Sequence, residues 1–374
     1  VSLLVADIFD RYFFWSLAQG KDSLGMAADL SCGSTGLNRK KHCDLIPFLK
    51  YLIALLVVMS ISAVNVQADT KTRQGGAGYA GVRQSKFIPE VEAIFSGGYR
   101  RDDLDWNIAG TILGQYVNVL SELEWDDIES YQVKFEGRFV IPKIIAFRGI
   151  ADYGWIFDGE VQDSDYLGDN RTLEFSRSNN SADDGDVWDV SLAVGYPFRT
   201  GRDVVGTITP LVGYSYHEQN LTMTDGFQTI PPLGSFPGLD STYDTEWKGP
   251  WVGIDLNFKA AEHKSVAHRF ETFFSYEYHW ADYDAEADWN LRTDFQHPKS
   301  FTHDADGRGW IIRAGFNFVL HRNVALNFNF DYQDWSTDDG TDKVYFADGT
   351  TTKTNLNEVN WTSYSFGLGL SLRF

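Results

Sequence analysis

Two aspartates set two residues apart, in Asp163-Ser164-Asp165-Tyr166, have the types and spacing for chemistry. On an extended backbone, side chains two apart point the same way. Two carboxylates held that close repel, so one of them keeps its proton to higher pH and becomes an acid or base near neutrality. A calcium-binding loop would use the same carboxylates together with backbone oxygens. An ordinary acidic loop is the third reading, and spacing alone does not separate the three. The run Asp183, Asp184 and Asp186 either adds to a cation site beside Asp163 or is a solvated acidic stretch. No other catalytic pattern stands out. There is no Gly-rich phosphate loop before a helix, no clustered histidine at metal-ligand spacing, and no Gly-x-Ser-x-Gly turn. The sequence therefore predicts no cofactor and no metal centre.

The elements that would carry these residues are strands. In the last of them Tyr364, Phe366, Leu368, Leu370, Leu372 and Phe374 share one face, and Ser365, Gly367, Gly369, Ser371 and Arg373 share the other. A strict period of two is a strand. Aromatics at both ends of the apolar face suit a strand crossing an outer membrane; a strand of a soluble sandwich is the alternative. The same alternation runs through 245–260, 268–280, 308–320 and 324–335, and ten strand-like runs follow Phe87. Short turns near 142, 201, 263 and 322 alternate with long polar loops at about 100–115, 159–184, 222–244, 281–307 and 336–357. Arg269, Glu271, Glu277, Arg313 and Asp331 fall on the non-lipid face, where only a closed interior lets them pair. The expectation is an all-β fold: one ten-stranded antiparallel transmembrane β-barrel with long extracellular loops, its lumen largely filled by side chains.

The bulk numbers agree. A mean hydropathy of -0.28 is too polar for a bundle of membrane helices. It suits a barrel, in which only alternate residues meet lipid. The 12 Trp, 18 Tyr and 27 Phe suit interfacial girdles. A formal net charge of -20 argues against nucleic acid as a partner. It fits either attraction of cationic ligands or merely soluble loops. Arg39, Lys40 and Lys41 precede an apolar run from Ile46 to Val58, interrupted by Lys50, and then Val66-Gln67-Ala68. This predicts an upstream segment and signal peptide over 1–68, with a single membrane anchor as the alternative, and an outer-membrane domain over 69–374. Both cysteines, Cys32 and Cys43, precede the cut, so the exported chain has no thiol to form a disulfide or bind metal.

Ser121-Glu122-Leu123-Glu124-Trp125, a long strand, and then Asp163-Ser164-Asp165-Tyr166 together resemble the omptin family of outer-membrane proteases. That family has Leu-Asp-Trp on an early strand and Asp-x-Asp-Trp in the second outer loop. Val212-Gly213-Tyr214 with Thr222 to Gly226 resembles its third-loop strand. Gly249-Pro250-Trp251-Val252-Gly253 resembles the start of its sixth strand, and the closing Phe374 resembles the C-terminal signature of bacterial outer-membrane barrels. The likeness covers roughly 87–374. It implies a barrel that cleaves peptides near basic residues, with water activated between an aspartate pair and an Asp-His pair on opposite walls of the mouth. Asp163 and Asp165 match the first pair and Asp288 the aspartate of the second. In Asp288-Trp289-Asn290 the expected histidine is Asn290, and an amide cannot take up a proton near neutral pH. His297 and His303 lie further along the same loop, as general bases brought to the mouth or as solvated loop histidines. His279 alternates inward below the mouth, where an interior hydrogen bond is expected. The partners implied are outer-membrane lipid and lipopolysaccharide, with cationic peptides drawn in by acidic loops. Three functions stay open: an omptin-like endopeptidase, a non-catalytic relative serving as adhesin, binding or structural barrel, and a small channel, which a filled lumen disfavours.

Overall fold

The computed structural model describes residues 89–200, 204–260 and 270–374. The expected export segment with its cysteines, the turn at His263 and Lys264, and Arg269 lie outside those residues. The described chain forms β1 (Glu90–Ile108), β2 (Ser121–Ile141), β3 (Ile145–Gly168), β4 (Thr172–Gly195), β5 (Phe198–Thr200), β6 (Val204–Ile230), β7 (Gly234–Ser235), β8 (Ser241–Ala260), β9 (Phe270–Asp288), β10 (Phe301–His321), β11 (Val324–Thr337), β12 (Gly340–Tyr345) and β13 (Thr351–Arg373). Ten of them form an antiparallel ring in the order β1-β2-β3-β4-β6-β8-β9-β10-β11-β13. The ring closes because β13 pairs back onto β1, from Glu92↔Arg373 to Ile108↔Leu356. At that seam Gly98 lies so close to β13 that an added Cβ would stand 2.0 Å from the Phe366 carbonyl oxygen. The short β5 and β7 pair with β6, and β12 bridges β10 and β13 beyond the end of β11.

One strand shows how the wall is built. On β9, Phe270, Phe274, Tyr276 and Trp280 are exposed on the outer face, while Phe273, Ser275, Glu277 and His279 are buried inside. Phe270 to Trp280 is the length of one membrane crossing, for which a tilted strand needs about 9–11 residues. Beyond Trp280 the pattern inverts. Asp282, Asp284 and Glu286 now face out, and Ala281, Tyr283, Ala285 and Ala287 face in and are buried. The lower barrel is apolar outside because lipid is there. The upper barrel is polar outside because water is there, and it fills its interior with apolar side chains.

Inside the lower half, charges pair across the lumen. Arg148 donates to Asp255 Oδ1 at 2.6 Å and Ser275 Oγ at 2.9 Å and also meets Glu277. Arg313 reaches the same Glu277, and Lys134 reaches Asp331. A buried charge without such partners would cost several kcal/mol, of order 3–5 kcal/mol when a pair is broken. Higher up, Arg100 joins Asp102 at 2.8 Å to Asp189 at 2.6 Å, and His217 Nδ1 lies 2.7 Å from Asp189. Above these sits an aromatic core of Trp106, Trp125, Trp247, Trp335 and Trp361 with Tyr243, Tyr283, Leu123 and Leu221. Trp335 and Trp361 stack with centroids 5.5 Å apart.

The predicted long loops are mostly strand. β3 and β4 are 24 residues each and meet at a turn over 169–171, where a loop over 159–184 was expected. At about 3.3 Å per residue, roughly a dozen residues of each strand stand clear of the bilayer. Asp163 and Asp165 therefore belong to a strand, not a loop. Gly249 to Gly253 lies inside β8 rather than at its start. Val187 is fully buried on the inner side, and the register of β4 against β6 shifts between Arg177 and Asp184.

Candidate functional site

β3 presents both aspartates to the mouth. Asp163 pairs with Leu123 of β2 and lies two residues from Val161, and both of those side chains belong to the inner core. Directly paired residues share a face, so Asp163 faces inward, and Asp165, two further on, does too. Asp165 pairs with Ser121 on one side and Ser176 on the other, and both hydroxyls donate to its carboxylate. The Trp289 indole N–H, from the β9–β10 connection across the mouth, donates to Asp163, and the charge of Arg292, which is itself paired with Asp294, acts on both carboxylates from beyond ion-pair distance. Burial, and then the charge of Asp165, push Asp163 up to about 7. Asp165 is also raised, by burial, against the opposing pull of the Ser121 hydroxyl and Arg292. The pair therefore holds one proton close to neutral pH.

The opposite wall departs from expectation. Asp288 Oδ1 lies 2.6 Å from His297 Nδ1, so an Asp-His pair does form, with His297 rather than with the residue two positions on. It stands on the other side of the wall from Asp163. Alternation along β9 puts Asp288 on the same side as Asp282, Asp284 and Glu286, the outer side, and His297 is exposed. Trp289 turns inward instead, packing on the core with its ring centroid 4.8 Å from Phe301. Asn290, which stands where the omptin resemblance looks for histidine, is a loop clamp. Its Nδ2 donates to Gly238 O at 2.7 Å, and its Oδ1 accepts from Asp240 N at 3.0 Å and Ser241 Oγ at 3.1 Å.

His303 is not a solvated loop residue. It lies on β10, fully buried, with Nδ1 2.8 Å from Tyr243 Oη and Nε2 3.5 Å from Asp342 Oδ1. Tyr243 Oη in turn meets Tyr283 Oη at 2.6 Å. Burial, with the neighbouring Tyr283, raises Tyr243 far above the ordinary phenol range, and the group ties together the adjacent strands β8, β9 and β10. His279 sits inside below the mouth as expected, between Ser215 Oγ at 3.0 Å and Glu277 Oε2 at 3.2 Å. In the acidic run, Asp183 accepts from Thr224 Oγ1 at 3.3 Å and Asp184 from Gly185 N at 2.8 Å. Among the described residues, no three His, Cys, Asp or Glu side chains converge as metal ligands.

Sequence reasoning missed Trp289 and Arg292. The one signal for them was a tryptophan followed by a cation just past the acidic end of β9. It missed the Tyr243–Tyr283–His303 group as well, because its members come from three different strands.

A closed ring with a lipid-facing apolar band and an extended, water-facing upper half is a bacterial outer-membrane β-barrel, seated in lipid and lipopolysaccharide. The chain belongs to the Protochlamydia outer membrane protein family, Pom, whose sequence profile matches residues 94–374. No curated protein sequence matches it. Among solved structures it is similar to the outer membrane protease OmpT of Escherichia coli, with a TM-score of 0.60 and 12% identity, covering 76% of this chain and 97% of that one. The outer membrane protein OprG of Pseudomonas aeruginosa aligns with a TM-score of 0.33 and 12% identity over 76% of this chain and 95% of its own. At 12% identity the OmpT likeness speaks to the fold alone.

Proposed function

We propose that this barrel is a non-catalytic, omptin-like surface protein whose mouth receives a basic side chain of a peptide or protein at Asp163 and Asp165. One observation carries the reading: the two carboxylates face inward on β3, with Asp163 raised to about 7, while the imidazole of His297, paired with Asp288, stands on the outer side of the wall. An incoming cation would take the place of the shared proton. Ser121, Ser176 and Trp289 hold the carboxylates in position without neutralising them. The test uses refolded barrel in detergent micelles and a fluorescent, terminally blocked Ala-Arg-Arg-Ala peptide. Binding by the wild type that is lost in Asp163→Asn/Asp165→Asn supports the reading, and equal binding by both sinks it.

The second reading is an omptin-like endopeptidase, favoured by the Asp288–His297 contact of 2.6 Å. Asp288 would hold Nδ1–H, and His297 Nε2 would take a proton from water as that water attacks a peptide carbonyl, then pass it to the leaving amine. Release of fluorescence from a quenched dibasic peptide by the wild type, lost in both His297→Ala and Asp163→Asn, would establish that reading in place of the first.

A further inference from the structure

Three oxygens inside the barrel lie around one glycine without a hydrogen-bond partner. Asp152 Oδ1, Gln132 Oε1 and Ser130 Oγ belong to side chains that are 6%, 4% and 0% exposed. β2 and β3 bring them together. Gln132 pairs directly with Gly154, and Asp152 stands two residues before that glycine, on the same face. Ser130 Oγ would lie 3.0 Å from a Cβ placed on Gly154. Buried oxygens are normally satisfied, so three such acceptors around one glycine need a shared partner. Charge is unbalanced there too. Asp152 pairs with Lys134 on β2 and with Asp189 on β4. Lys134 is engaged by Asp331, and Asp189 by Arg100 at 2.6 Å and His217 at 2.7 Å. A buried carboxylate between an engaged cation and a second anion is costly without a counter-ion.

We propose that Asp152, Gln132 and Ser130 bind a monovalent alkali cation inside the lumen. One carboxylate with two neutral oxygens suits a single positive charge, whereas calcium takes six to eight oxygens and zinc favours nitrogen and sulfur. A proton on Asp152 would serve one of the three oxygens, and a cation serves all of them. The way in is from the lower end. A cavity of about 180 Å³ opens there among Glu92, Arg138, Arg148 and Arg373. A second cavity of about 10 Å³, the space of one water-sized particle, shares Arg138 and Arg148 with it and reaches Lys134, the strand partner of Asp152.

Urea unfolding of the refolded barrel in uncharged detergent micelles tests this, in sodium chloride against choline chloride at equal ionic strength and mildly alkaline pH. Choline is too large for the site. A cation that binds only the folded state, at ten times its dissociation constant, lowers the unfolding constant about elevenfold. Wild type is therefore expected to unfold at higher urea in sodium than in choline. Asp152→Asn is expected to lose that difference, and Ser130→Ala to keep a reduced one. A purely structural role for Asp152 would instead shift the midpoint equally in both salts. Equal wild-type midpoints in the two salts, or a sodium effect undiminished in Asp152→Asn, overturn the site. If Asp152→Asn does not refold, Ser130→Ala decides, and an undiminished sodium effect in that variant overturns it.

Discussion

Asp163→Asn should stabilise the barrel at alkaline pH and do nothing comparable in acid. In the folded chain, burial and the Asp165 charge raise Asp163 from 3.8 to about 7. A carboxyl group raised by folding holds its proton more tightly when folded, so the wild type loses stability as pH climbs from about 4 to about 7 and stays at the lower value above that. Three pKa units at about 1.4 kcal/mol each give a ceiling of about 4 kcal/mol. Sharing of the proton with Asp165 lowers the expected gain to about 2–4 kcal/mol. Asparagine keeps the shape and an oxygen for the Trp289 indole but does not titrate. The assay is urea unfolding in lyso-lipid micelles, followed by tryptophan fluorescence, at pH 4.5 and pH 8.5. The variant should exceed wild type at pH 8.5, and the gap should close at pH 4.5. Parallel curves at both pH values, or a wild type more stable than the variant at pH 8.5, would refute the account of this pair as half-buried, inward and mutually repelling.

Binding of the blocked Arg-Arg peptide should strengthen as pH rises through about 7, because a cation prefers the fully ionised pair; Asp165→Asn removes the repelling charge and should move that midpoint to lower pH. Arg148→Met strips a partner from Asp255 and Glu277 and should cost about 3–5 kcal/mol in the same unfolding assay. Leu368→Arg, on the lipid face of β13 where Leu368 is exposed, should cost about 2–4 kcal/mol in lipid and much less in a loosely packed detergent. His297→Ala should leave peptide binding unchanged, since His297 belongs to the outer side of the wall; a large loss would put it back in the mouth.

The membrane half of the barrel could be read without coordinates. The alternation of Phe366, Leu368 and Leu370 with Gly367, Gly369 and Ser371 needs only a period of two to be seen, because lipid demands apolar atoms on every outward position. The upper half escaped for a reason in the same physics. There the outer face meets water and carries Glu160, Gln162 and Arg177, so its mean polarity resembles a loop. Its inward Val161, Leu221 and Leu356 are too widely spaced among polar neighbours to announce a core.

Order of strands, the lipid-facing stripe and the shared face of Asp163 and Asp165 follow from local spacing, since a strand points every second side chain the same way wherever it sits. That the Trp289 indole reaches Asp163, and that Tyr243, Tyr283 and His303 meet, depend on pairings between distant segments, Asp163 and Trp289 being more than a hundred residues apart in sequence. Those are set by closure of the ring of strands and by the packing of Trp289 on Phe301, and no short stretch of sequence contains that information.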